Sequence, residues 1–291
     1  MTGILVVNKP MDYTSHDVIA ILKGITGEKK IGHTGTLDPN ATGVLPVCFG
    51  KATRLIEYME ITPKTYVCTA KFGITSNTDD IWGEITEDEN PVRTFTMDEV
   101  NSVLKSFKGE ISQIPPMYSA VSVNGRRLYS YARSGEKVEV KPRTVTIYDI
   151  SLSGFYPCKN EIVFSVTCSR GTYIRSICKD IGTKLGCGAV MSTLVRTATS
   201  GFDISEAIDF EEIREKGMDL ILPNIHSIDR AIGDMPRLML SEREIKKFSN
   251  GLSIKNSGPD EKKIAVMNGN ELAGIAKREE NIIYPVKVFN Q

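Results

Sequence analysis

The sequence predicts an α+β fold, with a mixed, mainly antiparallel sheet and flanking helices, followed by a small β-rich module at the C-terminus. Three observations support this prediction. Several short runs alternate apolar and polar residues, which is typical of half-buried strands. Helix-capping residues stand between those runs. The end of the chain holds three β-like runs separated by Gly, Asn and Asp turns, as in a compact β-rich unit.

The first part of the chain is predicted to form two strands and two helices. Tyr, Cys, Ala and Phe alternate on one face of residues 66–72, which indicates a strand. Ser15 is expected to cap a helix that Gly27 follows. The predicted elements are a strand over residues 3–8, helices over residues 15–25 and 52–59, and the strand over residues 66–72.

Two local signals organise the middle of the chain. Thr96 and Glu99 have the spacing of a capping box, which predicts a helix that begins at Thr96 and that Gly109 ends. Asn124-Gly125 is a strong two-residue turn signal for a β-hairpin. The predicted elements are a turn over residues 78–83, the hairpin over 119–128, strands over 144–154 and 162–168, and a helix over 173–185.

The C-terminal part of the chain is predicted to separate from the rest between residues 229 and 236. We therefore expect two domains, residues 1–232 and residues 233–291. The acidic segment before the boundary, residues 203–219, is expected to be helical and solvated. The β-like runs of the tail cover residues 264–267, 272–277 and 282–289.

Composition argues against several classes of protein. The six cysteines form no CxxC pair, which disfavours a zinc ribbon and a disulfide framework and fits a reducing cytoplasm. The three histidines lack the spacing of a ligand pair, so we expect no catalytic metal. No apolar run has transmembrane length, and the N-terminus lacks the pattern of a signal peptide. We expect a cytoplasmic protein without membrane contact.

The zero net charge conceals a basic segment. Residues 121–200 carry twelve Lys and Arg residues against five Asp and Glu residues. Such a segment indicates a basic face that a polyanion could bind, although chance clustering of surface charge explains it equally well.

The most informative segment is the loop over residues 32–43, which reads GHTGTLDPNATG. Its glycines permit positive φ angles, and Pro39 keeps Asp38 out of the helical region. The loop therefore presents a carboxylate on stiff, irregular backbone, where binding and catalytic groups are often found. The alternative is an ordinary turn in which Asp38 accepts hydrogen bonds from nearby amides.

Five motifs, in this order along the chain, resemble the bacterial TruB-type tRNA pseudouridine synthases. They are NKP at residues 8–10, GHTGTLDPNATGVLP from Gly32, KTY at residues 64–66, RGTYIRS from Arg170 and LVRTATSG from Leu194. The resemblance covers about residues 3 to 230. It implies a pseudouridine-synthase catalytic domain, and the tail weakly resembles the small RNA-binding PUA module that often ends these enzymes.

The resemblance implies an isomerisation that needs no cofactor, in which uracil is detached from ribose, turned and rejoined through carbon 5. Asp38 would attack carbon 1′ of the sugar, attack carbon 6 of the base, or remove a sugar proton to give a glycal. Arg175 would keep that carboxylate ionised, with a phosphate contact or a surface position on a helix as its alternatives. Tyr66 would stack on the target base or take part in proton transfer at carbon 5, unless it only packs in the core.

The resemblance also implies residues that bind the substrate. Tyr173 and Leu194 would line the base pocket, and Lys9 would support the catalytic loop. His33 would stack in the space that a flipped base leaves, with a locally hydrogen-bonded loop histidine as the alternative. Several basic residues would contact phosphates, namely Arg126, Arg127, Arg133, Lys141 and Arg143.

The implied function is conversion of uridine 55 in the T loop of tRNA to pseudouridine by a monomeric enzyme. The C-terminal module could grip the acceptor stem through the lysine pairs at residues 246–247 and 262–263. Three alternatives stay open. A tRNA-folding chaperone would have no need of Asp38, a synthase could act on another RNA loop, and a glycoside hydrolase would need a second carboxylate beside Asp38.

Overall fold

The computed structural model describes residues 1–59, 62–87, 94–136, 138–255, 261 and 263–289. Its helices are α1 (Ser15–Thr26), α2 (Ile56–Met59), α3 (Met97–Lys105), α4 (Leu128–Arg133), α5 (Ile174–Leu185), α6 (Phe210–Lys216), α7 (Met218–Ile221) and α8 (Glu242–Ser249). Short 3₁₀ turns cover Gly50–Leu55, Pro157–Lys159, Ile204–Glu206, Leu222–Asn224 and Ile228–Ile232.

The strands occur in chain order between and after these helices. They are β1 (Gly3–Lys9), β2 (Ile31–His33), β3 (Thr42–Phe49), β4 (Lys64–Phe72), β5 (Ile74–Ser76), β6 (Ile85–Glu87), β7 (Gly109–Gln113), β8 (Ser122–Val123), β9 (Arg126–Arg127), β10 (Arg143–Tyr156), β11 (Glu161–Cys168), β12 (Ala189–Thr199), β13 (Phe202–Asp203), β14 (Ile208–Asp209), β15 (Arg237–Met239), β16 (Ile254–Lys255), β17 (Ile264–Asn268), β18 (Glu271–Glu279) and β19 (Ile282–Val288).

One large sheet forms the body of the molecule. Its order is β14–β1–β3–β12–β4–β11–β10–β7, with β2 beside β3 and β13 beside β12. Within the described residues, parallel pairing in this sheet is confined to the β1–β14 and β3–β12 pairs. The prediction of a mixed, mainly antiparallel sheet with flanking helices is therefore confirmed.

One edge of β3 changes its partner at the loop that follows β2. His33 pairs with Val47 where β2 lies against β3, and Gly43 pairs with Arg196 where β12 takes over that edge. β4 lies on the other side of β12 and places Tyr66 opposite Arg196. The loop over residues 34–41 therefore begins and ends at a junction of three strands, close to β4.

Two hydrophobic clusters hold helices against this sheet. Alternate residues of β4, from Tyr66 to Phe72, are buried in a cluster that includes α3 and α5, which confirms the predicted strand. A second cluster packs Val18 and Leu22 of α1 and Phe210 of α6 against β1 and β3. Full burial of one such side chain contributes about 1.5–3 kcal/mol relative to exposure.

The C-terminal segment forms a second sheet with the order β15–β17–β18–β19–β16. The three predicted β-like runs are confirmed as β17, β18 and β19, and Phe248 of α8 is fully buried against them. This unit also packs on the large sheet, because Ala265 shares a hydrophobic cluster with Ile4. Arg54 donates a hydrogen bond to the Val288 carbonyl at 2.6 Å. Among the described residues, no helix combines the length and the apolar character needed to cross a membrane.

Two predicted helix ends were wrong. Thr14, not Ser15, caps α1, because Thr14 and Asp17 exchange the two hydrogen bonds of a capping box. Ser15 is buried, and its hydroxyl accepts a hydrogen bond from Leu37 N–H instead. The capping box of α3 is confirmed, but α3 ends before Gly109, whose φ of 108° starts β7.

Two further predictions are corrected. Residues 52–55 belong to a 3₁₀ turn, in which the Thr53 hydroxyl donates to the Gly50 carbonyl, and residues 56–59 form the α-helical turn α2. Residues 203–219 are not one solvated helix. They include β14, α6 and α7, since Phe210 and Ile213 are fully buried.

Candidate active site

The loop between β2 and β3 holds Asp38 on a firmly anchored backbone. On one side, the Leu37 N–H donates to the buried Ser15 hydroxyl at 3.0 Å. On the other side, the Lys9 ammonium donates to the Pro39 carbonyl at 2.8 Å. The Asp38 side chain itself is 43% exposed. The loop therefore presents its carboxylate to solvent from a backbone that has little freedom to move.

Lys9 is the buried cation beneath this loop. Its ammonium donates to the carbonyls of Pro10 at 2.8 Å, Tyr13 at 2.6 Å and Pro39 at 2.8 Å, which uses all three of its donors. Burial lowers the pKa of Lys9 to about 8, and the charge of Asp38 opposes that shift. Lys9 thus ties the segment after β1 to the Asp38 loop, and its predicted part in the function of that loop stays a prediction.

Arg175 is the cation that meets Asp38 directly. It stands in the first turn of α5, where its Nη2 lies 3.1 Å from Asp38 Oδ2. The Arg175 side chain is only 6% exposed and also donates to the carbonyls of Thr78 at 3.1 Å and Tyr118 at 3.0 Å. Its Nη1 lies 3.8 Å from Asp80 Oδ2. Two loops and a carboxylate thus orient this guanidinium toward the exposed oxygen of Asp38.

Tyr66 and Leu194 come from the adjacent strands β4 and β12, and each is 8% exposed. Leu194 lies opposite Cys68, one alternation away from the pair of Tyr66 and Arg196. Burial raises the pKa of Tyr66; Arg196 lowers it, and Asp38 adds a smaller upward shift. Tyr66 and Leu194 thus stand on neighbouring strands close to the Asp38 loop, and their place in a base pocket stays a prediction.

His33 ends β2, on the strand that leads into the loop. It is half-buried, and its ring meets the exposed His16 ring edge to face at 5.5 Å between centroids. Burial lowers the pKa of His33 to about 4, and among the described residues the buried His33 Nδ1 has no hydrogen-bond partner. The imidazole is therefore neutral at pH 7, and its packing against a base stays a prediction.

Tyr173 precedes α5 and is positioned through its backbone. Its N–H donates to Gln113 Oε1 at 3.0 Å, and Gln113 Nε2 donates to its carbonyl at 3.2 Å. This reciprocal pair fixes the start of α5 and hence Arg175. The contacts described for Tyr173 do not involve Asp38, so its place in a base pocket stays a prediction.

Arg196 is the residue of this site to which the sequence assigned no role. It is fully buried in β12, where its Nε donates to the Val44 carbonyl at 2.8 Å and its Nη2 to the Gly35 carbonyl at 3.2 Å. The available signal was a charged residue two positions after Leu194 on the buried face of a strand. That signal was lost because β12 was not predicted as a strand.

Two family models match consecutive parts of the chain. The family described as TruB family pseudouridylate synthase, N-terminal domain, matches residues 23–174, and tRNA pseudouridylate synthase B C-terminal domain matches residues 175–223. The join between these matches falls within α5, and the large sheet continues through it to β14.

Similar proteins cover nearly the whole chain. The tRNA pseudouridine synthase B of Lactobacillus johnsonii is 43% identical over 290 residues, covering 98% of this chain and 97% of its own. That of Alkaliphilus oremlandii is 44% identical over 256 residues, covering 87% and 83%. Among solved structures, an H/ACA ribonucleoprotein bound to a substrate RNA containing 2′-deoxyuridine includes a similar chain. It superposes with a TM-score of 0.76 at 25% identity, covering 99% of this chain and 85% of that one. The chain therefore belongs to the TruB family of tRNA pseudouridine synthases.

Proposed function

We propose that this enzyme converts uridine 55 in the T loop of tRNA to pseudouridine, with Asp38 as the essential carboxylate. One observation carries the proposal: an accessible Asp38 carboxylate lies on an anchored loop, 3.1 Å from a buried Arg175. An isomerisation at a sugar–base bond needs a positioned, ionised carboxylate more than it needs any other single group.

The reaction breaks the bond between N1 and carbon 1′, forms a bond between carbon 5 and carbon 1′, and replaces the proton on carbon 5 by one on N1. Asp38 acts at carbon 1′, at carbon 6 or on a sugar proton. Arg175 pairs with the Asp38 carboxylate and is itself held in place by its two carbonyl contacts, so that it orients Asp38. Tyr66 stacks on the base or accepts the proton from carbon 5, and Leu194 packs against the base.

Access to the target requires that the uridine leave the stack of the T loop. His33 then fills the vacated space as a neutral ring supported by His16. Tyr173 completes the wall of the base pocket beside Arg175. The similar chain in a complex with a substrate RNA supports RNA as the partner.

Basic residues away from the pocket contact phosphates in this proposal. Arg133, Lys141 and Arg143 are exposed. Arg126 is already engaged by Glu136 at 2.8 Å, and Arg127 donates to a backbone carbonyl. The better phosphate ligands are therefore Arg133, Lys141 and Arg143.

The C-terminal module, residues 233–291, is proposed as a second RNA contact that reaches the acceptor stem of a tRNA bound by a monomer. Lys246 and Lys247 are exposed on α8. Lys263 lies over the Tyr58 ring at 5.4 Å, and Lys262 lies outside the described residues. The α8 pair is therefore the stronger candidate.

The geometry bears on the hydrolase alternative. The other carboxylate near Arg175 is Asp80, which accepts hydrogen bonds from the Thr78 hydroxyl at 2.6 Å and from the Trp82 N–H at 3.1 Å. These contacts and the Arg175 guanidinium at 3.8 Å already engage Asp80, whereas a glycosidase acid must be free to reach the leaving oxygen. This arrangement supports the synthase over the hydrolase.

The experiment uses an unmodified tRNA transcript, treated with the enzyme and then with a carbodiimide that marks pseudouridine for primer extension. We expect one new stop at position 55, and none in a transcript with cytidine at that position. A stop in another loop would identify a synthase of different specificity. Tight tRNA binding without any stop would favour the chaperone alternative.

A further inference from the structure

A fully buried arginine joins the Asp38 loop to Tyr66. Arg196 lies in β12, opposite Tyr66 on one side and Gly43 on the other. Its Nη2 donates to the Gly35 carbonyl within the loop, and its Nε donates to the Val44 carbonyl in β3. One side chain thus contacts the loop that carries the carboxylate and stands across the ladder from the tyrosine.

The charge of Arg196 lacks the partner that a buried cation requires. In the part of the chain that the structure describes, no carboxylate forms an ion pair with Arg196, and its Nη1 is buried without a hydrogen-bond partner. A buried guanidinium is destabilising unless a negative group compensates it. An electron-rich neighbour that can become negative would therefore stabilise both groups.

Tyr66 is that neighbour. It lies directly across the β4–β12 ladder from Arg196, so both side chains leave the sheet on the same face, where cross-strand neighbours are within reach of each other. Arg196 lowers the pKa of Tyr66, and Tyr66 raises the pKa of Arg196, against the larger effects of burial. The other charged or titratable groups that act on Tyr66 are Cys168 and Asp38, and both raise its pKa. Arg196 is thus the cation among the groups that act on this hydroxyl.

We propose that Arg196 is a positioning residue for proton transfer, which holds the Tyr66 hydroxyl beside the base and stabilises its phenolate while it clamps the Asp38 loop. The inference rests on the proposed function, within which Tyr66 accepts the proton from carbon 5. After carbon 5 has joined carbon 1′, the bond between carbon 5 and its hydrogen breaks, and its electron pair forms the double bond to carbon 6. The π pair between carbon 6 and N1 becomes the N1 lone pair, which takes a proton from water. The carbon 5 proton passes to the Tyr66 oxygen and then to water.

A clamp without a chemical role is the alternative. The loop does contact Arg196, since Arg196 Nη2 donates to the Gly35 carbonyl at 3.2 Å. A clamp would act on the loop whether or not the Tyr66 hydroxyl is present. A positioning role would depend on that hydroxyl, which makes the two readings separable.

The test measures single-turnover release of tritium from carbon 5 of uridine in a T-arm hairpin. The variants are Arg196→Gln, Tyr66→Phe and their combination, each checked for RNA affinity and cooperative melting. We expect Arg196→Gln to release tritium about 100-fold more slowly, the scale of a lost acid–base contribution, with RNA affinity unchanged. Its rate should need a higher pH to reach a plateau. In the Tyr66→Phe background, Arg196→Gln should cause no further loss.

An equal loss from Arg196→Gln in both backgrounds, with an unshifted pH profile, would overturn the proposal. If Arg196→Gln does not melt cooperatively, Arg196→Lys decides in the same way, because it keeps the charge but cannot keep both carbonyl contacts. Its loss must then disappear in the Tyr66→Phe background, and a persisting loss would contradict the proposal. Absence of tritium release from the unaltered enzyme would instead refute the proposed function itself.

Discussion

Replacement of Gly43 by Ala tests the packing of the Asp38 loop on β12. Gly43 has a φ of 101°, which L side chains rarely adopt. An added Cβ would overlap the carbonyl oxygen of Arg196 and lie 3.0 Å from its carbonyl carbon and nitrogen. These are backbone atoms of the paired strand, so the strain is relieved only if β3 and β12 separate.

The expected loss of stability follows from two contributions. A residue held at such a φ costs about 1–3 kcal/mol, and separating the strands weakens a hydrogen bond worth about 1 kcal/mol. The sum is about 3 kcal/mol, which lowers the melting temperature by roughly 6–12 °C in a protein of this size. Since Gly43 lies at the start of β3, which follows the Asp38 loop, tritium release from carbon 5 should fall together with the stability.

Gly24→Ala is the matched control. Gly24 is exposed within α1, and a Cβ there meets nothing within 4 Å. Alanine should stabilise α1 by about 0.5–1 kcal/mol, which raises the melting temperature slightly. Differential scanning calorimetry should therefore show a lower melting temperature for Gly43→Ala and a slightly higher one for Gly24→Ala than for the native protein. If the Gly43→Ala protein melted at the same temperature as the Gly24→Ala protein, the packing argument would be refuted.

Three further predictions concern the surroundings of Asp38. Arg175→Met should lower the free energy of unfolding by about 3 kcal/mol, because the Thr78 and Tyr118 carbonyls lose a charged donor, and it should abolish tritium release. Arg175→Lys should retain part of the stability and part of the activity. Equal behaviour of the two variants in calorimetry and in the release assay would contradict this prediction. His33 has a folded pKa of about 4, below its ordinary value of 6.5, so the unfolded chain binds more protons between these two pH values. The stabilisation by neutral His33 is complete above pH 6.5 and is lost as the pH falls toward 4, by at most about 3 kcal/mol. Urea unfolding of His33→Phe should therefore lose less stability than the native protein over this range, and parallel curves would count against the buried neutral ring. Ser15→Ala and Thr14→Ala should each lower the free energy of unfolding by about 1 kcal/mol. Only Ser15→Ala should slow tritium release, because of the two hydroxyls only that of Ser15 is hydrogen-bonded to the Asp38 loop. Equal rates of tritium release by the two variants would show that this hydrogen bond does not contribute to activity.

Much of the fold could be predicted from local signals. The alternation in β4, the turn at Asn124-Gly125 and the β-like runs of the tail each depend on neighbours in sequence, and each is confirmed. Asn124 and Gly125 have φ angles of 51° and 78°, as a two-residue hairpin turn requires. Such signals survive because a tight turn or a half-buried strand is decided within a few residues.

The central strands β3 and β12 could not be predicted in the same way. β3 is buried at seven of its eight positions, so it shows no alternation, and it contains Pro46. Both strands owe their conformation to partners far away in sequence, since Gly43 pairs with Arg196. Tertiary pairing of this kind leaves little local trace.

The site was predictable only in part, because some of its residues carry a local signal and others depend on tertiary packing. Asp38 could be found because its loop is unusual by itself, whereas its contact with Arg175 depends on the packing of α5. The buried Arg196 shows the limit most clearly, because a charged residue acquires its role only when the strands around it are known.

The central claim is that Asp38 performs the chemistry of an RNA isomerase. The most direct test compares tritium release from carbon 5 of uridine in an unmodified T-arm hairpin for the native enzyme, Asp38→Asn and Asp149→Asn. Asp149 is an exposed carboxylate paired with Lys108 and serves as the matched control. We predict release by the native enzyme and by Asp149→Asn, and none by Asp38→Asn despite unchanged RNA binding. Release by Asp38→Asn at the native rate would contradict the account.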